Sequence, residues 1–150
     1  QAGTYIRKYC HDIGEYLGTG GHMAKLIRTK AGPFKLKDSI KWEDVFELYR
    51  KYMKSKDDKL IQKLIRPIEE AVNFLPKVWV DDDVLPRLKN GSPIFAPGIV
   101  QVDNDIKVGD IVACYTTKSK LASVGFAEMD SKQMIKEKKG MAVKTDVVML

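Results

Sequence analysis

The chain has 150 residues, of which 44% are hydrophobic and 31% charged, as is ordinary for a globular protein. No apolar run approaches the roughly 18 residues that a membrane-spanning helix needs, and no signal-peptide pattern opens the sequence. We therefore expect no membrane association and a cytoplasmic location, or a nucleolar one in a eukaryote. The net charge of +6 is concentrated in residues 25–66, which hold 13 basic and 6 acidic residues. This local excess favours a polyanionic partner over a membrane, although a solvated lysine-rich surface has the same composition.

The first part of the sequence predicts a helix, a glycine turn and a short strand. Thr4 is placed to cap the helix. An apolar stripe at three- and four-residue spacing continues it through Ile6, Cys10, Ile13 and Leu17. Gly18 and the Gly20-Gly21 pair end the helix, since glycine tolerates the left-handed backbone of a helix C-terminus. Residues 23–29 then predict a strand, which Gly32-Pro33 ends.

The middle of the sequence predicts three more helices. The first has an apolar stripe made of Trp42, Val45, Phe46, Tyr49 and Met53. A polar connector over 54–59 leads to a second helix over 59–65, and Pro67 opens a third. Pro76 marks the boundary between two predicted domains, residues 1–75 and residues 76–150.

Beyond Pro76 the pattern changes to short β-strands separated by turns. The strands are expected over 78–80, 100–106, 111–117, 121–128 and 141–149. One short helix is capped within Asp81–Asp83 and closed by Asn90-Gly91, and another is capped by Ser131. Strands at roughly ten-residue spacing with two short helices predict a small mixed β-barrel, so the fold class is α+β.

The usual signals of a metal, redox or nucleotide site are missing from the sequence. Cys10 and Cys114 form no CxxC pair, and the two histidines lie outside ligand spacing, so we expect no metal. The glycine-rich segment 18–21 lacks the Lys-Ser/Thr of a P-loop. Asp81–Asp83 could bind a cation or cap a helix, and capping is favoured. The acidic residues Asp12, Glu15, Glu69 and Glu70 are interpreted as helix-face charges.

Several motifs near the start of the chain occur together in one enzyme family. They are Gly3-Thr4-Tyr5-Ile6-Arg7, Asp12-Ile13-Gly14, Leu17-Gly18, Leu26-Ile27-Arg28-Thr29 and Gly32-Pro33-Phe34. In this order they resemble the closing motif of the catalytic domain in the TruB/dyskerin family of pseudouridine synthases. The resemblance implies that residues 1–75 are the C-terminal tail of such a domain. It also implies that the nucleophilic aspartate of the family lies upstream, so this chain alone is expected to be inactive.

The second half of the sequence resembles a PUA domain, an RNA-binding module. The matching motifs are Leu75-Pro76-Lys77-Val78-Trp79-Val80, Asn90-Gly91, Ala96-Pro97-Gly98-Ile99, Val108-Gly109-Asp110-Ile111-Val112 and Val124-Gly125-Phe126-Ala127. A complete PUA domain joined directly at Leu75-Pro76-Lys77 is similar to the archaeal and eukaryotic dyskerin branch of the family, the H/ACA type. The two resemblances together cover nearly the whole chain.

The family resemblance implies a catalytic role for two residues. Arg7 matches the arginine that orients the aspartate, because a guanidinium fork fits a carboxylate and keeps it ionised. Without the resemblance, the favoured interpretation of Arg7 is a first-turn helix arginine that pairs with Asp12 or with solvent. Leu26 matches the apolar residue of the active-site floor, against which a flipped base packs, and its alternative is an ordinary core position.

Six further residues are expected to bind RNA. Arg28 and Lys30 match basic positions of the catalytic domain, although Ile27 stands where the family usually has a second basic residue. The remaining four lie where PUA domains meet RNA: Lys89, Gly91, Pro97 and Gly98. Glycine lets the backbone approach nucleotides closely, but the same residues also suit a turn without any RNA contact.

The function implied by both resemblances is conversion of uridine to pseudouridine in ribosomal or transfer RNA, within an H/ACA guide-RNA particle. The PUA domain would hold the lower stem and ACA end of the guide. The implied partners are RNA and the small proteins of that particle, and the reaction needs no metal or cofactor. Two alternatives stay open: a stand-alone PUA-type RNA-binding protein in ribosome biogenesis or translation, and a catalytically inactive scaffold.

Overall fold

A computed structural model describes residues 3–150, and the chain forms two compact units, Gln1–Ser39 and Ile40–Leu150. Each unit is a stretch of the chain whose residues pack mainly among themselves. The domain boundary expected at Pro76 stays a prediction. Within residues 3–150, every helix falls short of the length and apolar content that a bilayer-spanning segment needs.

The first unit contains one helix and one small hairpin. Helix α1 spans Ile6–Tyr16, and its N-cap is Tyr5, whose side chain makes no capping hydrogen bond, so the predicted cap at Thr4 is wrong. Strands β1 (Lys30–Ala31) and β2 (Phe34–Lys35) pair antiparallel. The strand predicted over 23–29 is absent, because a strand needs a partner for its backbone groups. Within residues 3–39, β1 and β2 are the only strands, and Gly32-Pro33 is the turn between them.

The second unit begins with two helices. Helix α2 spans Trp42–Ser55, with Glu43 and Asp44 in its first turn, where negative charge complements the helix dipole. Helix α3 spans Asp58–Leu64, and the side chain of Asp57 caps it by accepting a hydrogen bond from the Lys59 N–H at 3.0 Å. Both helices confirm the sequence prediction. The residues after Pro67 form a 3-10 turn over Ile68–Val72 instead of the predicted α-helix.

Six strands form the sheet of the second unit in the order β4-β8-β7-β6-β3-β5. Their bounds are β3 Lys77–Val80, β4 Ile94–Phe95, β5 Ile99–Val102, β6 Ile111–Thr116, β7 Leu121–Ala127 and β8 Met141–Val148. Neighbouring strands are antiparallel except β3 and β6, which are parallel. The two edge strands, β4 and β5, are joined directly by a 3-10 turn over Ala96–Gly98. The curled, mixed sheet confirms the predicted small mixed β-barrel and the α+β class.

The barrel encloses one main core. Fully buried apolar side chains from strands and helices meet there, and the larger ones are Val78, Val80, Leu88, Ile94, Val112, Met134 and Val143. Helix α4 (Leu85–Leu88) contributes Leu88, and helix α5 (Ser131–Lys136) contributes Met134. Burial alternates along β3, whereas β6 is buried on both faces, with Val112 and Cys114 in the main core and Ala113 and Tyr115 in a second cluster.

Helix α5 begins one residue earlier than the sequence suggested. Asp130 is the N-cap and forms a capping box: its carboxylate accepts from the Gln133 N–H at 2.8 Å, and Gln133 Oε1 accepts from the Asp130 N–H at 3.0 Å. Ser131, the predicted cap, is buried and its hydroxyl donates to the Asn104 carbonyl at 2.6 Å. Ser131 therefore anchors the helix to the loop before β6 instead of capping it.

Both cysteines are free thiols. Cys114 lies on β6 inside the core, and burial raises the pKa of its thiol to about 12. A thiol with so high a pKa carries almost no thiolate at neutral pH, so Cys114 acts as a small core side chain.

The segment before the barrel packs on one end of it. Val72 and Leu75 contact a small cluster made by Ala113, Tyr115 and Leu121. Glu69 adds a polar link, because its Oε1 accepts a hydrogen bond from the Leu121 N–H at 3.2 Å. Residues 68–75 are therefore part of the packed structure of the second unit and not a free linker.

The Glu69 link predicts a pH-dependent contribution to stability. Hydrogen bonds from its own backbone N–H and from that of Leu121, with Lys120 nearby, lower the pKa of Glu69. A lowered pKa gives stability that is present above the ordinary glutamate pKa and is lost as the pH falls through the lowered value. We expect Glu69→Gln to reduce the free energy of unfolding at neutral pH and to converge with the unmodified protein in acid. Urea unfolding at a series of pH values measures this.

Glu128→Gln is the matched control, because Glu128 is exposed and its side chain makes no hydrogen bond or ion pair in residues 3–150. A Glu69→Gln deficit that stays constant from neutral to acid pH would show that the ionised carboxylate is not what stabilises the contact.

Candidate nucleic-acid interface

A backbone contact of Gly14 with Gly20 and Gly21 shapes the first unit. Gly14 is the only fully buried residue of α1, and a Cβ there would overlap backbone atoms of Gly20 and Gly21. A Cβ on Gly21 would lie 2.7 Å from the Cys10 carbonyl oxygen. The N–H groups of Thr19 and Gly20 also donate to the Gly14 carbonyl, each at 3.1 Å. The chain therefore turns back after α1 and crosses the helix in direct backbone contact.

This return creates a groove, which we call the Arg7 groove. Its lining comes from the start of α1 and from the returning segment, and consists of Thr4, Tyr5, Ile6, Arg7, Lys8, His11, Met23, Leu26 and Arg28. The volume of about 780 Å³ falls within the range of roughly 300–1,000 Å³ that is typical of ligand pockets. Three of the predicted site residues, Arg7, Leu26 and Arg28, are thus brought together.

Arg7 is available for a ligand at this groove. In residues 3–150 it makes no ion pair and no side-chain hydrogen bond. Asp12, its alternative partner from the sequence, pairs instead with Lys8 at 2.8 Å. Leu26 lies at the same groove and is 57% exposed within this chain. The groove offers a guanidinium group beside an apolar surface, which suits an anion attached to a flat base.

Sequence reasoning did not identify three of the lining residues, Lys8, His11 and Met23. His11 was detectable, because residues four apart lie on the same face of a helix and His11 follows Arg7 by four. Met23 was not detectable from the sequence, because it reaches the groove only through the crossing of the returning segment over α1 at Gly14. Within residues 3–150, no group of three or more His, Cys, Asp or Glu side chains is arranged to hold a metal ion.

A second depression lies in the barrel unit, and we call it the Pro97 cleft. It has a volume of about 590 Å³ and is lined by Asp81, Asp83, Val84, Arg87, Ser92, Pro93, Phe95, Pro97 and Gly98. The Asp81 N–H donates to the Gly98 carbonyl at 2.9 Å, which fixes the two walls of the cleft. Gly98 is required at this point, because a Cβ would lie 2.5 Å from Val84 Cγ2.

Of the six predicted RNA-binding residues, two line this cleft and four do not. Pro97 and Gly98 line it, whereas Lys89 and Gly91 follow α4 and lie outside its lining. Lys30 lies in the hairpin of the first unit, beside Arg28 but outside the Arg7 groove. Asp81 caps the turn that precedes α4, accepting from the Asp83 N–H at 3.0 Å, which is the capping role favoured from the sequence.

Two cleft residues that the sequence did not single out have the chemistry of RNA recognition. Arg87 presents a guanidinium group that makes no ion pair in residues 3–150. Phe95 is 51% exposed although it follows the fully buried Ile94 on β4. An exposed aromatic ring next to an arginine can stack on a base and contact a phosphate. Ile94 and Phe95 are both apolar in the sequence, so only the structure shows that Phe95 is the exposed one.

Two known family profiles match consecutive parts of the chain. The profile of the tRNA pseudouridylate synthase B C-terminal domain matches residues 7–73, and that of the PUA domain matches residues 76–149. The chain belongs to the TruB family of pseudouridine synthases. The family resemblance inferred from the sequence is thereby confirmed, as is the PUA domain. The roles assigned to individual site residues stay predictions.

Archaeal proteins are among the relatives of this TruB-family chain. A probable tRNA pseudouridine synthase B of Methanopyrus kandleri is 39% identical over 150 residues, which are all of this chain and 44% of the relative. The protein chain in the archaeal box H/ACA sRNP Nop10-Cbf5 complex superposes with a TM-score of 0.86 at 40% identity, covering 100% of this chain and 49% of its own.

A second solved structure contains RNA. It is an H/ACA RNP bound to a substrate RNA containing 2'-deoxyuridine, with a TM-score of 0.84, 39% identity, and coverage of 99% of this chain and 47% of its own. In each of these comparisons the TruB-family chain spans less than half the length of the protein it matches.

The Gly14 crossing predicts an unusual response to a helix-favouring substitution. Gly14→Ala adds a methyl group where backbone atoms already fill the space, so we expect a loss of about 1–3 kcal/mol from overpacking. Helix propensity alone would give the opposite sign, a gain of about 0.5–1 kcal/mol. Hydrogen exchange at the Thr19 and Gly20 amides, which bond to Gly14, measures the local change.

Glu15→Ala is the control for that experiment, because it alters the neighbouring exposed position of the same helix and should change stability by less than about 0.5 kcal/mol. Slower exchange of the two amides in Gly14→Ala would mean that the chain does not cross the helix at this point.

Proposed function

We propose that this chain is the RNA-binding C-terminal portion of an RNA pseudouridine synthase that isomerises uridine in tRNA or rRNA, guided by an H/ACA RNA. The observation that carries the proposal is the free guanidinium group of Arg7 beside Leu26 and Arg28, within the region that matches the family's C-terminal domain. The likeness to a chain from an H/ACA RNP bound to substrate RNA supports it.

In the proposed reaction, Arg7 positions an aspartate supplied by the part of the protein N-terminal to residues 1–150. Its two parallel N–H groups match a carboxylate, and its positive charge keeps that carboxylate ionised beside the phosphates of the substrate. Leu26 provides a dry surface for the flipped uracil, and Arg28 balances the charge of a neighbouring phosphate. The bond between uracil and ribose breaks, the base turns, and a carbon–carbon bond to the ribose forms. No atom is gained or lost.

The barrel unit offers a second RNA-binding surface. The Pro97 cleft combines Arg87 and Phe95 with the exposed carboxylates of Asp81 and Asp83. Arginine contacts phosphate and carboxylates accept hydrogen bonds from base amino groups, so the cleft suits a single-stranded end such as the ACA of a guide RNA. Small proteins of the H/ACA particle are proposed as partners, and Nop10 accompanies Cbf5 in one similar complex. The proposal places the protein in the cytoplasm or, in a eukaryote, in the nucleolus.

RNA binding is the first test of this function. Affinity for an H/ACA-type stem with a single-stranded ACA end should fall linearly on a log–log plot against salt, because bound phosphates release counterions. Arg87→Gln should weaken binding and lower the salt slope by about one, and Lys89→Gln should have a smaller effect because it lies outside the cleft. Filter binding or fluorescence anisotropy measures both. A flat salt response, or equal affinity for duplex DNA, would contradict specific RNA binding.

Lys118→Gln is the matched control for the barrel unit. Lys118 is exposed in the turn between β6 and β7 and lines none of the described depressions, so its loss should leave RNA affinity unchanged.

Catalysis is the second test, and it compares three proteins. This chain alone should produce no pseudouridine, and the protein supplied with its aspartate-bearing N-terminal region should be active. In that active protein Arg7→Ala should reduce turnover by about a hundredfold or more, since one positioning contact is lost. Arg7→Lys should be intermediate because it keeps the charge and loses the fork. Tritium release from RNA containing 5-tritiated uridine measures turnover.

Glu15→Ala serves as the control on α1, since it is exposed and outside the Arg7 groove. Pseudouridine formation by this chain alone would refute the assignment of the chemistry to an aspartate outside it. Full turnover in Arg7→Ala would remove Arg7 from the mechanism.

A further inference from the structure

The hairpin that follows the Arg7 groove places two like charges opposite each other. Lys30 on β1 and Lys35 on β2 are direct register partners. Side chains in this relation have Cβ atoms about 4.5–5.5 Å apart, and like charges there destabilise a hairpin. In residues 3–150 neither lysine makes an ion pair, a side-chain hydrogen bond or a contact with an aromatic face. The fold of this unit gives no compensation for the repulsion.

Positive charge extends from this pair in both directions. Residues 24–39 contain five basic residues and one acidic residue, Asp38. Arg28, Lys30 and Lys35 line one shallow depression, and Lys37 joins the two lysines in a neighbouring one. Arg28 also lines the Arg7 groove, so the cationic side chains continue from the groove onto the hairpin. All five basic residues are exposed.

We propose that this basic hairpin, residues 28–37, binds the RNA phosphates next to the nucleotide held at the Arg7 groove, with Lys30 and Lys35 forming one phosphate site. A phosphate between the two ammonium groups replaces their mutual repulsion by two attractions. Release of the condensed counterions adds to the binding free energy. This inference rests on the proposed function and assigns to it a surface that includes Lys35 and Lys37.

The side chains on the two faces of the hairpin favour a contact with phosphate over a contact with a base. Lys30 and Lys35 project from one face of the two-stranded ladder, because alternate residues of a strand point to opposite faces. Ala31 and Phe34, the other register pair, project from the opposite face. The lysine face carries no aromatic side chain from the ladder on which a base could stack, and flexible ammonium groups act on phosphate as point charges.

The test measures RNA binding and thermal stability in the same variants of the full chain. Lys35→Gln removes the charge, Lys35→Glu replaces repulsion by attraction across the ladder, and Lys35→Arg keeps the charge. The probe is a short single-stranded oligouridylate. Lys35→Gln should lower the salt slope of binding by about 0.7–1, Lys35→Glu should bind more weakly still, and Lys35→Arg should bind like the unmodified protein.

Thermal stability should move in the opposite direction from binding. Removing one of two opposed lysines relieves repulsion, so the unfolding temperature at low salt should be unchanged or higher in Lys35→Gln and higher in Lys35→Glu. Lys51→Gln, an exposed lysine of α2, is the control and should alter neither quantity. Weaker binding together with undiminished stability supports the phosphate site, because a purely structural lysine would lose both.

Three outcomes would overturn the inference. If the unmodified chain binds RNA with a steep salt dependence and both charge-removing variants bind equally well, the hairpin site is wrong and the proposed function stands. If the charge-removing variants lose stability and binding together, Lys35 has a structural role. If the unmodified chain binds no RNA, the proposed function and the hairpin site fail together.

Discussion

The contact between the backbone of α1 at Gly14 and the chain at Gly20 and Gly21 is the constraint on which the first unit depends. It allows the segment after the helix to return across it without any side chain between the two backbones. Gly14 is the only buried residue of this helix. Backbone packing and two hydrogen bonds to its carbonyl hold the returning segment against the helix.

The consequence for function is that two distant stretches of sequence form one surface. Arg7 and His11 come from the helix, and Leu26 and Arg28 come from the returning segment. The glycines are thus positioning elements for a site in which they take no direct part.

The barrel unit is held together by the burial of apolar side chains. Its core side chains are fully enclosed, and the two edge strands of its curled sheet, β4 and β5, are joined by the Ala96–Gly98 turn. The Asp81 N–H donates to the Gly98 carbonyl, so this turn lies beside the one that precedes α4, and both line the Pro97 cleft. Both candidate sites therefore pair an arginine with an exposed apolar side chain, Arg7 with Leu26 and Arg87 with Phe95. A charge for phosphate and an apolar surface for a base are the two requirements of single-stranded RNA recognition.

The sequence by itself determined the elements whose signals are local. The apolar stripe beginning at Trp42 specified α2, and the strands at roughly ten-residue spacing specified the mixed barrel, because helix and strand periodicities are written in neighbouring residues. The ordered motifs around Arg7 and around Pro97 were sufficient for the family, which the profile matches confirmed.

Only the tertiary structure decided which residues share a surface. The strand expected over 23–29 does not form. A β-strand needs a neighbouring strand to pair with, and within residues 3–39 the only pairing is that of Lys30–Ala31 with Phe34–Lys35. Met23 joins Arg7 only through the crossing at Gly14, and Lys35 opposes Lys30 only through the register of the hairpin. Lys89 and Pro97 looked equivalent in sequence, yet Pro97 lines the cleft and Lys89 does not. Local patterns report the conformation of a segment, whereas the neighbours of a side chain depend on how distant segments pack.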